Sequence, residues 1–249
     1  MSLEDRVKFA EMKARHEKKL RPWYKKWWGV FIILIIGLIL IALVSSGFYI
    51  YNEIKRINEE DAQNYIKDQH QAYLDLISGP GGYTIGTLTP KITVVEFTDF
   101  ACPYCKQSAP EIRKLMEEYK DTVKLVIRDY PIHDNSIDLA IAARCAGEQG
   151  KYWEAYDSLF TNQDNLIGTS TIQNDILSWG EFLKLDSARF KTCITDKRYI
   201  DLVKRDYDDG NKLKIQGTPT WFVNNYPITG YYSAERFKEL FDGILQQIK

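Results

Sequence analysis

Cysteine is scarce in this chain, with four in 249 residues. That is too few for a small domain built on disulfides. Histidine is scarcer: His16, His70 and His133 are the whole set. Neither residue type shows the paired spacing of a zinc site, so no metal centre is expected, and no cofactor is called for. A surplus of either charge is missing too, because 33 Lys/Arg face 34 Asp/Glu. A dedicated nucleic-acid binder would carry a basic excess, so that class is set aside. Repeats and low-complexity tracts are absent, which excludes solenoids and tails.

Charge is wholly lacking from Trp27 to Asn52, and the heart of that stretch, Val30 to Val44, is almost purely aliphatic. A bilayer core takes roughly 20 apolar residues as helix, so residues 27–51 are expected to cross a membrane. Trp27 and Trp28 at one end, and Tyr49 and Tyr51 at the other, suit the two headgroup layers. Residues 1–26 hold nine Lys/Arg and only four Asp/Glu, with Lys25 and Lys26 just before the span. The positive-inside rule therefore keeps 1–26 in the cytoplasm and sends the rest outside, as a single-pass protein in contact with membrane lipid. Two other readings exist. A buried core helix would rarely run uncharged for so long. A cleaved signal peptide would usually have an apolar region of about 7–15 residues and a better cleavage site than Ala42, Ser45, Ser46 and Gly47 offer. An uncleaved anchor is preferred.

Residues 52–82 read as a helical spacer and linker. Ile54, Ile57, Tyr65, Ile66, Tyr73, Leu76 and Ile77 recur at roughly helical spacing, and Ser78-Gly-Pro-Gly-Gly82 ends the helix. The apolar seam is partial, which favours a spacer over a dimeric coiled coil. Beyond it, residues 83–249 read as one α/β domain. Ile92–Thr98 and Val123–Arg128 are β-branched strands flanking a helix from about Pro103 to Tyr119. Residues of about 135–210 read as several helices. Strand character returns at 220–223 and 227–229, and a last helix starts behind Ser233 as its N-cap.

The chemistry is carried by Cys102-Pro-Tyr-Cys105, set between a strand end and a helix start. The first helical turn presents unpaired N–H groups and partial positive charge. A thiolate there is stabilised, so Cys102 is expected to be the exposed, acidic nucleophile. Cys105 lies one turn on, where it can attack a mixed disulfide and resolve it. Pro103 suits the first helical position, and Tyr104 shapes access. Farther along, Gly217-Thr218-Pro219-Thr220 precedes a strand and by itself reads as an ordinary turn. Cys145 and Cys193 by themselves are compatible with a disulfide or with two buried thiols.

Taken in order, Val94-Val-Glu96-Phe-Thr-Asp-Phe-Ala-Cys102-Pro-Tyr-Cys105, Arg128-Asp-Tyr-Pro131, Cys145-Ala-Gly-Glu-Gln-Gly-Lys-Tyr-Trp153 and Gly217-Thr-Pro-Thr220 resemble the DsbA-like thiol:disulfide oxidoreductases. The likeness covers about residues 83–249 and is nearest to membrane-anchored and Gram-positive-type members. It implies a thioredoxin fold with a helical insertion at about 135–210. It implies a cis peptide before Pro219, facing the redox pair beside Thr218, and a structural disulfide between Cys145 and Cys193. It also implies that Glu96 is a buried acid, able to relay a proton for Cys105. The implied partners are thiols of secreted or envelope proteins and a membrane quinone-linked reoxidase. The dipeptide departs from the Pro-His of strongly oxidising members, which leaves three readings: an oxidase, an anchored reductase or isomerase, and a redox-inactive peptide-binding module.

Overall fold

A computed structural model describes residues 2–16, 25–167 and 170–248. Part of the expected basic segment, residues 17–24 with Met1, lies outside the described residues. The chain divides into two compact units, Met1–Lys67 and Asp68–Lys249.

The first unit holds α1 (Leu3–His16) and most of α2 (Trp27–Ser78). The apolar window of α2 has a mean hydropathy of 2.9 and is only 6% buried, so this is not the core helix of a globular fold. It is long and apolar enough to cross a membrane. The two serines at the end of the apolar run do not go unpaired: Ser45 donates to the Ala42 carbonyl and Ser46 to that of Leu43, both at 3.0 Å. Past the apolar run, Arg56 pairs with Glu53 at 2.5 Å and with Glu60 at 3.8 Å on the exposed surface of the helix.

The second unit is a five-stranded sheet with helices. Its strands are β1 (Tyr83–Gly86), β2 (Ile92–Thr98), β3 (Val123–Asp129), β4 (Thr220–Val223) and β5 (Tyr226–Thr229), in spatial order β1-β3-β2-β4-β5. β2 and β3 run parallel, joined through α3 (Pro103–Glu118); the other pairs are antiparallel. Among the described residues, six helices, α4 (Ser136–Gly147), α5 (Tyr152–Thr161), α6 (Gln163–Leu166), α7 (Ile172–Phe182), α8 (Ser187–Thr195) and α9 (Ile200–Lys212), separate β3 from β4. They form the insertion that the resemblance implies. α10 (Ala234–Gln247) closes the chain, with Ser233 accepting from the Arg236 N–H as its N-cap.

The alternation of β2 decides which residues meet. Ile92 and Val94 enter the main core with Ile112, Tyr156 and Phe237, while Val95 and Phe97 enter a smaller cluster on the other face with Ile77 and Phe222. Glu96 shares the face of Val94, so its carboxyl is directed into the main core.

Two differences from the sequence reading are tertiary in origin. Tyr83–Gly86 carries no strand pattern of its own, yet it pairs antiparallel with Lys124–Ile127 of β3. Gly86 allows this at φ +101°, where a Cβ would fall 2.1 Å from the Val123 carbonyl oxygen. The last turns of α2, read as spacer, pack into the domain: Ile77 is buried beneath the sheet. Arg128, fully buried on β3, donates to the carbonyls of Leu76 and Ile77 at 3.0 and 3.1 Å. It also pairs with Asp206 and Asp209 of α9 at 2.9 and 2.8 Å. Arg144 of α4 completes the cluster, pairing with Asp129 and, at 2.7 Å, with Asp206. The helix stops at Gly79, whose φ is +42° and whose Cβ would lie 2.0 Å from the Arg128 guanidinium.

Candidate active site

The turn that follows the central strand β2 is built by Asp99. Its Oδ1 accepts from the Ala101 N–H at 2.7 Å, and its carbonyl accepts from the Cys102 N–H at 3.0 Å. Its Oδ2 accepts from the N–H groups of Ile132 and His133, at 2.8 and 3.1 Å, and lies 2.8 Å from His133 Nδ1. The turn this makes ends at Cys102, the N-cap of α3, with extended backbone (φ −79°, ψ 125°) and Pro103 opening the helix. Tyr104 is 57% exposed.

The two thiols differ sharply in acidity. Cys102 is lowered to about 5, chiefly because the Cys105 thiol donates a hydrogen bond to it; the N–H groups of Cys105 and Tyr104 in the first turn add to this, and burial opposes. Cys105 is pushed well up, first by burial and then by its hydrogen bond to Cys102 and the nearby charge of Glu96. The pair therefore rests as a thiolate beside a thiol.

Thr218 and Pro219, far along the chain, reach this point. The Thr218–Pro219 peptide is cis, and the Thr218 carbonyl accepts from the protonated Cys102 Sγ at 3.2 Å. Glu96 lies behind the cysteines, fully buried. Burial raises its carboxyl to about 7, and the charge of Cys102 adds to the rise. The Tyr156 hydroxyl donates to Glu96 Oε2 at 2.9 Å. Among the described residues, Oε1 has no hydrogen-bond partner.

One expectation is corrected. Cys102 is not exposed: it retains only 2% of its accessible surface. The helix-start argument is local, while the residues that cover the sulfur come from elsewhere in the chain. Thr218 contacts the sulfur, and Gln163 of α6 holds the backbone beside it, donating from its side-chain amide to the carbonyls of Phe100 and Cys102, each at 2.9 Å. Cys145 and Cys193, on α4 and α8, are joined in a disulfide and take no part in these contacts.

Comparison with known proteins agrees with this geometry. A family model described as thioredoxin matches residues 78–243. The probable disulfide bond formation protein D of Bacillus anthracis is 30% identical over 151 residues, covering 57% of this chain and 69% of that protein. The chain belongs to the thioredoxin family, on its DsbA-like branch. The thiol-disulfide exchange protein alpha-DsbA2 of Wolbachia pipientis shares the fold, with a TM-score of 0.62 at 20% identity over 74% of this chain and 98% of that one. The Na(+)/H(+) antiporter NhaA 3 of Salinispora tropica is 38% identical over 147 residues, 58% of this chain. The chain spans only 22% of that relative's length.

In this DsbA-like domain, then, the structure gathers Cys102, Pro103, Tyr104, Cys105, Glu96, Thr218 and Pro219 around one helix start. Sequence reasoning missed Tyr156, Gln163 and Asp99. Tyr156 sits in an apolar stripe and reads as core, and Gln163 has no motif. Asp99 did leave a sign: an Asp two residues before an N–H it can accept from, just ahead of the cysteines, is a turn former.

Proposed function

We propose that this protein is a membrane-anchored thiol:disulfide oxidoreductase whose domain lies outside the cytoplasm and forms disulfides in secreted or envelope proteins. The observation that carries this reading is the opposed acidity of Cys102 and Cys105 against the cis-Pro219 loop. A thiolate at Cys102 stabilises the reduced enzyme, which makes the Cys102–Cys105 disulfide a better oxidant. Here the stabilisation comes from Cys105 and the helix start, so the absent Pro-His histidine does not remove it. The uncharged run after Lys25 and Lys26 supports the anchor and its orientation.

In the forward reaction a substrate thiolate attacks Cys102 Sγ, and the Cys102–Cys105 bond breaks. Cys105 leaves into a buried setting that disfavours its charge, and Glu96 supplies the proton. A second substrate thiol loses its proton to water and attacks the substrate sulfur bound to Cys102. The substrate leaves with a disulfide, two electrons poorer, and Cys102 leaves as the thiolate. A membrane quinone-linked reoxidase takes the two electrons and restores the pair.

The test is Cys105→Ser in the full-length chain. Cells quenched with an alkylating agent should yield reductant-sensitive adducts between Cys102 and exported proteins. Recovery of none, with the variant present at normal level, rejects the reading.

A further inference from the structure

The insertion contributes a fully buried tyrosine to the redox site, and its hydroxyl has one use. Tyr156 is packed edge-on against Phe100, Trp153 and Phe160, with ring centroids 5.9, 5.6 and 4.9 Å away. A phenylalanine would fill that space equally well. A buried phenol without a partner is costly, so the oxygen is retained for what it binds. It binds Glu96 Oε2 at 2.9 Å and leaves Oε1 unpartnered. The strand fixes only the Cα of Glu96, and the side chain has three rotatable bonds.

We propose that Tyr156 is a positioning residue of the exchange reaction: its hydroxyl holds the Glu96 carboxylate as the proton acceptor for Cys105. The inference rests on the disulfide-exchange reading above. When a mixed disulfide on Cys102 is resolved, Cys105 passes its proton to Glu96 and attacks Cys102 Sγ. The bond from Cys102 to the bound thiol breaks, that thiol leaves as its thiolate, and Glu96 later releases the proton to water.

Tyr156 acts only as a donor here, since burial pushes its own phenol well up and keeps it neutral. A donor favours the ionised carboxylate, against the burial that raises Glu96 to about 7. The other ionisable groups that act on Glu96 are Cys102 and Cys105 from the start of α3 and Tyr152 from α5. Its sheet neighbours Ile127 and Trp221 carry no charge. The side chains of Thr98 and Tyr156 both act against the burial of Glu96, and Tyr156 is the one that reaches the carboxylate from outside its own strand, so its loss delays the pH at which the acceptor becomes available.

The experiment follows the resolution step in the reduced full-length chain in detergent, with saturating oxidised glutathione, by acid quench and mass measurement across pH. The wild-type rate should rise to a plateau with a midpoint somewhat below the value of about 7 that Glu96 has beside the Cys102 thiolate, because the mixed disulfide lacks that charge. Tyr156→Phe should move that midpoint up by about one pH unit and leave the plateau in place. Below the midpoint this is roughly a tenfold loss of rate. Glu96→Gln should abolish the step, and Tyr156→Phe should then shift nothing further. If Tyr156→Phe lowers the rate equally at every pH, or leaves the midpoint unmoved while Glu96→Gln abolishes the step, the Tyr156 role is overturned and the relay stands. If Glu96→Gln keeps the wild-type profile, the relay itself falls. Should Tyr156→Phe fail to fold, Glu96→Asp withdraws the acid from the hydroxyl and must produce the same upward shift.

Discussion

The acidity of Cys102 makes a prediction about how the reduction potential responds to pH. The thiol is lowered from 9.0 to about 5. A depressed group of this kind stabilises the reduced folded form fully above 9.0, and that stabilisation is lost as pH falls through about 5. At pH 7 about half of the shift is realised, contributing roughly 3 kcal/mol to the reduced state, equivalent to about 60 mV in a two-electron couple. Cys105 stays protonated throughout, so the reduced pair holds one proton above pH 5 and two below it. The potential should therefore fall by about 30 mV per pH unit above the break and by about 59 mV below it. Near pH 7 Glu96 steepens the slope locally, because the Cys102 thiolate raises its pKa only in the reduced enzyme. The assay is equilibration of the full-length chain with glutathione buffers from pH 5 to 9, paired with the ultraviolet absorbance of the thiolate. The decisive window is around pH 8, above the range of Glu96. A slope of about 59 mV per unit there would mean that Cys102 is still a thiol, and would refute the reasoning.

Two further outcomes concern stability. Arg128→Met takes the buried guanidinium from Asp209 and from the carbonyls of Leu76 and Ile77 and leaves Asp206 to its pairing with Arg144, and should cost about 3–5 kcal/mol. Thermal unfolding should fall by roughly 10 °C, and a change under 2 °C, on the scale of about 2–4 °C per kcal/mol, would contradict the account of the cluster. Replacing both Cys145 and Cys193 by Ser should cost about 2–4 kcal/mol in urea unfolding while leaving the Cys102 thiolate titration unchanged, since the disulfide makes no contact with the redox pair. Loss of the thiolate signal in that variant would show that the two sites are linked.

The parts of this protein legible in its sequence are those written within a few residues. The uncharged run from Trp27 identifies a helix fit to span a membrane, because hydrocarbon rejects charge over a length set by the helical rise. The β-branched runs mark β2 and β3, Ser233 marks the start of α10, and Cys102-Pro-Tyr-Cys105 between a strand and a helix marks an acidic thiol. Each depends on spacing, capping or a local dipole, which act from one residue to those within a turn.

Contacts across the fold decided the rest. Cys102 meets the Thr218 carbonyl across 116 residues of chain, a contact made to a sulfur that local reasoning leaves exposed. Tyr156 finds Glu96 across 60 residues, and nothing in the apolar stripe around Tyr156 distinguishes a hydroxyl that binds a carboxylate from one that merely fills the core. β1 is a strand only because Lys124–Ile127 lies beside it, and Arg128 caps the end of α2 only because the fold brings β3, α9 and that helix together. Sequence determined which residues carry the chemistry, since a thiolate needs only its own helix start. Tertiary structure decided their environment, since burial and hydrogen-bond partners depend on segments that become neighbours only when the chain folds.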